Sequence, residues 1–354
     1  MNFTFSNRKI TSILSVIPRN ESSFEDEIPN YPFPSGNSMK LKRVMGYDKH
    51  RIVENGVCIS DLCVFGLKKL FDENIIEKSE IDALVVITQS PDYLMPPTSY
   101  VIHGMLGLKQ DMICLDINQG CAGFEIGLIQ AFSLLSQDSI KKVVVINADV
   151  LSRKVSRSDR NSFPLIGDAA TITIVERSDS EEKIFCNLKC DGSRSGALII
   201  PAGGLRLPSS SETRELRDDG TGNLRSQDNL CMNGADVFNF VMTEVPPMIK
   251  ELVNFANTEL GSIDYYLFHQ PNKFMVEKIA DKLEIPYEKM PSNIVQLYGN
   301  SSSATVPVNI CQNLGEKLID KCYTVCFAGF GVGLTWSSIL MKLDRMKFCS
   351  IAEY

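Results

Sequence analysis

The chain has 354 residues, of which 44% are hydrophobic and 22% charged, with mean hydropathy close to zero. This is the composition of an ordinary globular protein, large enough for one big domain or two halves. A net charge of −7 argues against a nucleic-acid partner, which would need a basic face.

No apolar run approaches the roughly 20 residues that a membrane helix requires. The Met1–Ile10 start lacks the apolar stretch and cleavage site of a signal peptide. The expected location is therefore the cytoplasm, where eleven cysteines would stay reduced. Cys58/Cys63, Cys186/Cys190 and Cys322/Cys326 lack zinc-site spacing, and the chain has only three histidines, so no metal site is expected.

The run Pro29-Asn30-Tyr31-Pro32-Phe33-Pro34-Ser35-Gly36 within residues 1–40 reads as irregular. A basic cluster follows (Lys40, Lys42, Arg43, Lys49, Arg51); such a cluster is either a solvated surface or a contact for a phosphorylated ligand. A helix is expected over 57–73, a strand buried on both faces over 81–89, a loop over 91–98 and then a helix to Leu106. Met112–Ile117 reads as another buried strand. Phe124, Ile126, Leu128, Ile129, Phe132 and Leu135 recur at helical spacing after it. Further strands are expected over 143–147 and 169–175.

The second half echoes this order, with helices over 237–257 and 274–283, a strand over 265–268, a helix over 302–319 and closing strands over 322–328 and 334–343. Two α/β halves imply an internal duplication, 1–180 carrying the cysteine nucleophile and 181–354 carrying His and Asn. Residues 191–231, rich in Gly, Ser, Arg and Asp, read as an insertion that is either a surface loop or a docking segment.

Cys121 lies in Asn118-Gln119-Gly120-Cys121-Ala122-Gly123-Phe124, a small-residue turn between a strand and a helix. Small neighbours admit a substrate close to the sulfur, and the unpaired N–H groups of a helix start favour thiolate. A buried structural cysteine is the bland alternative. His269 ends an apolar strand before Gln270-Pro271-Asn272, and Asn300 sits in Gly299-Asn300-Ser301-Ser302-Ser303-Ala304, another turn into a helix. Singly, these are a core histidine and a helix cap. Together, each at the mouth of a strand–turn–helix, they point to one cleft outside the carboxyl ends of the strands. The glycine spacing of Gly329-Phe330-Gly331-Val332-Gly333 is wrong for a dinucleotide fingerprint and instead fits a backbone bent close to substrate.

These three motifs resemble those of the β-ketoacyl-ACP synthase III family, the initiating condensing enzymes of fatty-acid synthesis in the thiolase superfamily. The resemblance runs from about Lys40 to Leu343. It includes Gly46–Ile52, Asp149-Val150-Leu151-Ser152, Gly167-Asp168-Ala169-Ala170 and Phe327–Trp336. It implies a five-layered αβαβα α/β fold made of two duplicated halves, usually a homodimer. It also implies decarboxylative Claisen condensation of an acyl-CoA or acyl-ACP with malonyl-ACP. Cys121 would be the acylated nucleophile, His269 and Asn300 the donors to the enolate, and the backbone N–H groups of Cys121 and Val332 the oxyanion hole. No cofactor beyond the thioesters is implied. Transfer of the acyl group to an amine or alcohol is the alternative.

The resemblance also marks substrate positions. Met95 stands at the bottom of the acyl pocket, contributed across the dimer. Phe330 lines the substrate site, and Arg160 matches an arginine beside the CoA adenine. Lys40 and Val44 occupy positions where the family commonly has a Trp and an Arg that sandwich that adenine, a departure that favours a donor carried on ACP.

Overall fold

The computed structural model describes residues 1–354. Two mixed sheets run through the molecule. The first contains, in spatial order, β11 (Phe348–Glu353), β2 (Arg8–Ile17), β6 (Ala169–Arg177), β5 (Lys142–Asp149), β3 (Ala83–Ile87) and β4 (Ile113–Ile117). The second contains β1 (Asn2–Phe5), β7 (Ile184–Cys190), β10 (Thr335–Asp344), β9 (Cys322–Gly331) and β8 (Tyr265–Phe268).

The pairing repeats between them. From β2 through β6 and β5 to β3 the contacts are antiparallel, antiparallel and parallel. From β7 through β10 and β9 to β8 they follow the same sequence. The chain changes sheets between Arg177 and Ile184, and each terminus crosses back, β1 pairing with β7 and β11 with β2.

Helices fill the remaining layers. α2 (Ile59–Asp72) and α3 (Thr98–Leu106) cover the outer face of the first sheet, and α5 (Gly234–Phe255) covers the outer face of the second, with α6 (Lys273–Leu283) packed on it. α4 (Gly123–Leu134) and α7 (Thr305–Asn313) lie between the sheets and touch both. Five layers therefore run α, β, α, β, α. The middle layer demands helices that are apolar on all sides, and Phe124, Leu128, Ala131, Phe132, Val306 and Ile310 meet that demand in the largest apolar cluster.

Several expectations need correction. β4 is not buried; it is the edge of its sheet, with Ile113 37% exposed. The expected 302–319 helix is broken: a 3-10 turn covers Ser302–Ala304, α7 ends at Asn313, and Gly315, at φ +24°, separates it from a short helix over Lys317–Asp320. The proline-rich run has no α-helix or strand before Ser35, as expected, apart from a 3-10 turn over Ile28–Asn30, and only its last two residues join α1 (Ser35–Met45). The 191–231 segment is partly ordered, Leu198–Ile199 pairing with Cys231–Met232 and Arg217–Asp218 with Leu224–Arg225. The basic cluster is largely neutralised, because Lys42 pairs with Glu25 and Asp48, Lys49 with Glu21, and Arg51 with Glu21 and Glu353.

Candidate active site

Cys121 follows β4 by four residues and precedes α4 by two. Only glycine fits opposite its sulfur, since a Cβ on Gly331 would lie 2.4 Å from Cys121 Sγ. This close approach lets the backbone N–H of Val332, with that of Cys121 itself, donate toward the sulfur. The expected thiolate bias is outweighed. Burial pushes the Cys121 thiol above its ordinary pKa, and the two N–H groups only partly offset it. The buried Asp149 and Glu125 carboxyls add to the rise.

His269 directly follows β8, and its N–H donates to Ala328 O at 2.7 Å. The ring is 1% exposed and lies edge-on to Phe330, with centroids 5.7 Å apart. Burial lowers its pKa to about 3, so the ring is neutral at physiological pH.

Asn300 is held by backbone pairing to a loop of the first half. Its N–H donates to Leu165 O at 2.7 Å, and its carbonyl accepts from Gly167 N at 3.1 Å. The loops pass glycine to glycine, since a Cβ on Gly167 would meet Tyr298 O at 2.1 Å and one on Gly299 would meet Gly167 N at 2.7 Å. Asn300 Oδ1 accepts from Ser302 N at 2.9 Å, which leaves Nδ2 as the free donor.

Behind this loop His50 is fully buried, with one ring nitrogen on Glu27 at 2.6 Å and the other on the Ile166 carbonyl. Both partners accept, so both nitrogens must carry protons. Burial opposes that charge, but the bond to Glu27 wins and the pKa is raised. Asp149, also fully buried, ties the end of β5 to the end of β3. Its Oδ1 accepts from Thr88 Oγ1, Gln89 N and Ser90 Oγ.

Cys121, His269, Asn300, Phe330 and Val332 all line one cavity of about 700 Å³. Much of its remaining wall is apolar and was not foreseen: Leu198, Met232, Val237, Phe238 and Phe274. Two of these come from the 191–231 region and its edge, which is thus partly a cavity wall. Two expected substrate residues lie outside the cavity. Met95 is 84% exposed on the loop before α3. Arg160 borders a separate surface depression with Lys40 and Val44, its guanidinium covered by the Phe33 ring at 3.6 Å.

Models of 3-oxoacyl-[acyl-carrier-protein] synthase III match residues 115–192, and models of the C-terminal part of that enzyme match residues 253–343. A Clostridium perfringens β-ketoacyl-[acyl-carrier-protein] synthase III is 32% identical over 285 residues, covering 80% of this chain and 84% of that protein. The chain belongs to the 3-oxoacyl-[acyl-carrier-protein] synthase III family.

A Campylobacter jejuni protein provisionally named for the same synthase is 32% identical over 100% of this chain and 99% of its own. The crystal structure of a Burkholderia xenovorans 3-oxoacyl-(acyl-carrier protein) synthase superposes with TM-score 0.93 at 28% identity, covering 100% of this chain and 99% of that one. The fold is the thiolase-like fold of this family of condensing acyltransferases, and this member is an enzyme of that type.

Two predictions follow from how the synthase holds its site. Gly167→Ala should cost about 3 kcal/mol in urea unfolding, at the upper end of overpacking, because backbone blocks the new methyl. A cost below about 1 kcal/mol would show that the two loops are free to part. The second concerns Asp149, whose carboxyl burial raises from 3.8 to about 6. Between those values the folded protein keeps a proton that the unfolded chain has released. This stabilising contribution is present below pH 4 and is lost as pH rises through 6. Asp149→Asn should therefore gain on wild type by up to about 3 kcal/mol between pH 4 and pH 7; a difference that does not change with pH would refute it.

Proposed function

We propose that the enzyme condenses an acyl thioester with malonyl-ACP through an acyl group carried on Cys121. The observation that carries this reading is the meeting of Cys121, His269, Asn300 and Val332 in the lining of one cavity. Cys121 sulfur attacks the acyl carbonyl, and the N–H groups of Cys121 and Val332 hold the oxyanion. The carrier leaves as its thiol with the cysteine proton. Malonyl-ACP then loses CO2. The enolate oxygen so formed takes hydrogen bonds from Asn300 Nδ2 and His269, and the enolate carbon attacks the acyl carbonyl. Collapse releases β-ketoacyl-ACP and returns the Cys121 thiolate, which recovers a proton from solvent. Only the thioesters themselves are needed, and no metal or cofactor enters.

Three further readings accompany this one. The acyl donor is carried on ACP, because the face of Arg160 is already covered by Phe33 and no Trp stands nearby to stack on a nucleotide. The enzyme works as a homodimer through the β4 edge. There Tyr93, Leu94, Met95, Tyr100, Met105 and Ile113 are exposed beside the free outer edge of β4, and in such a dimer Met95 would face the partner. It acts in the cytoplasm, in keeping with eleven unpaired cysteines; no helix is long and apolar enough to cross a membrane.

Peptide mapping after incubation with acyl donors should find the acyl mass on Cys121, and acylation of another cysteine would remove the assignment. His269→Ala and Asn300→Ala should still acquire label yet lose CO2 release from malonyl-ACP at least tenfold each, since each donor is worth more than ~1.4 kcal/mol. Wild-type CO2 release by Asn300→Ala would dismiss the decarboxylation role. A wild type that releases no CO2 but acylates an amine or alcohol would make acyl transfer the reaction.

For the dimer, Ile113→Arg should shift light-scattering mass toward the monomer at micromolar concentration. An unchanged mass would place the interface elsewhere.

A further inference from the structure

The condensing reading needs an N–H of His269 aimed at substrate, but a neutral imidazole has only one N–H to give. Which nitrogen carries it is decided behind the ring. His269 Nδ1 lies 2.6 Å from the Oγ1 of Thr305, a fully buried residue that opens α7. The same hydroxyl lies 2.9 Å from the Ser302 carbonyl. One hydroxyl proton therefore faces two possible acceptors.

Two observations bear on the choice. The Ser302 carbonyl already accepts the backbone N–H of Thr305 in the 3-10 turn, so it keeps a partner when the hydroxyl turns to Nδ1, although its second lone pair can take the hydroxyl too. A separation of 2.6 Å falls within the range of an O–H donor and is shorter than the 2.7–3.2 Å usual for an N–H donor to oxygen. Both favour donation from the hydroxyl to Nδ1. The imidazole proton then belongs on Nε2, the nitrogen without a protein partner on a ring that lines the cavity.

We propose that Thr305 is a positioning residue that fixes the tautomer of His269, so that Nε2 presents an N–H to the substrate oxygen. This rests on the condensing reading and adds to it a residue that touches no substrate. Loss of the hydroxyl would do more than remove support. The Ser302 carbonyl, within hydrogen-bonding reach of the ring, would be the remaining polar neighbour. As a pure acceptor it selects the proton for Nδ1. Nε2 would then turn a lone pair toward the enolate oxygen, and attraction would become repulsion.

The chain has only three histidines, His50, His103 and His269, so long-range 1H–15N spectra of 15N-histidine-labelled full-length protein can be assigned, with His269→Gln marking the signal. At pH 7 wild type and Thr305→Ser should show His269 protonated at Nε2 with a pyridine-like Nδ1. Thr305→Val should show the inverse. In activity, Thr305→Val should acylate Cys121 as wild type does but release CO2 at least tenfold more slowly, and Thr305→Ser should stay within about threefold of wild type.

A wild-type His269 protonated at Nδ1 overturns the proposal without any variant, so misfolding of Thr305→Val does not shelter it. An unaltered tautomer or unaltered CO2 release in a folded Thr305→Val overturns it as well. A wild type that releases no CO2 defeats the condensing reading instead, and the spectra still report the tautomer.

Discussion

Everything at the site depends on α4 and α7 being sandwiched between two sheets. A helix buried on two opposite faces has its packing fixed from both directions. α4 satisfies this with Phe124, Leu128, Ala131 and Phe132, and with Gly123 and Gly127 where Ile87 comes so close that a Cβ would sit 2.6–2.7 Å from it. Because the two halves repeat one pairing pattern, the turns into α4 and α7 open on the same cavity. Cys121 stands at one turn and the Asn300–Thr305 segment at the other. The position of the chemistry is thus a consequence of layer packing, with the loops adding only local detail.

Within that frame, backbone approach controls distance. Gly331 lets β9 touch the Cys121 sulfur, and the back-to-back pair Gly167 and Gly299 lets a loop of one half hydrogen-bond to the Asn300 turn of the other. The second contact is reinforced from behind by the His50–Glu27 ion pair, whose ring also holds the Ile166 carbonyl. The site spans both halves and is held mainly by main-chain hydrogen bonds, which side-chain motion cannot easily loosen.

Much of this was legible in the sequence. Near-continuous apolar runs over 81–89 and 143–147 marked the central strands; the three strand–turn–helix motifs pointed Cys121, His269 and Asn300 to one cleft, and the family resemblance added Val332. What failed has physical causes. The Met112–Ile117 stretch looks like a buried strand because its apolar composition does not distinguish a sheet edge from a sheet centre. The 302–319 helix looked continuous because Gly315 in a helical pattern carries no sign of its positive φ. The apolar wall from Leu198 and Met232 was hidden in a segment whose overall composition is polar, since two-residue strands leave no period to read. The Thr305 contact, the His50–Glu27 pair and the stacking of Phe33 on Arg160 join residues far apart in sequence or set by side-chain geometry, and no local pattern announces them.

The electrostatics follow from the same burial. Burial raises Cys121 and raises Glu125 well above the carboxylate range; it brings Asp149 to about 6 and His269 down to about 3. Each shift favours the neutral form, so around Cys121 the Glu125 carboxyl and the His269 ring are neutral at pH 7 while Asp149 ionises above about pH 6, and the buried His50–Glu27 ion pair stands behind the loop. On the proposed reading, an enolate formed in such a place would be stabilised by oriented N–H dipoles that need not reorganise. Low polarisability around it strengthens each of those bonds. It also makes their direction decisive. In water a misplaced lone pair is masked by solvent, whereas here one wrong proton on His269 places two acceptors face to face with nothing to screen them. With the His269 ring uncharged, hydrogen placement is the quantity the fold must control there, and Thr305 is the residue positioned to control it.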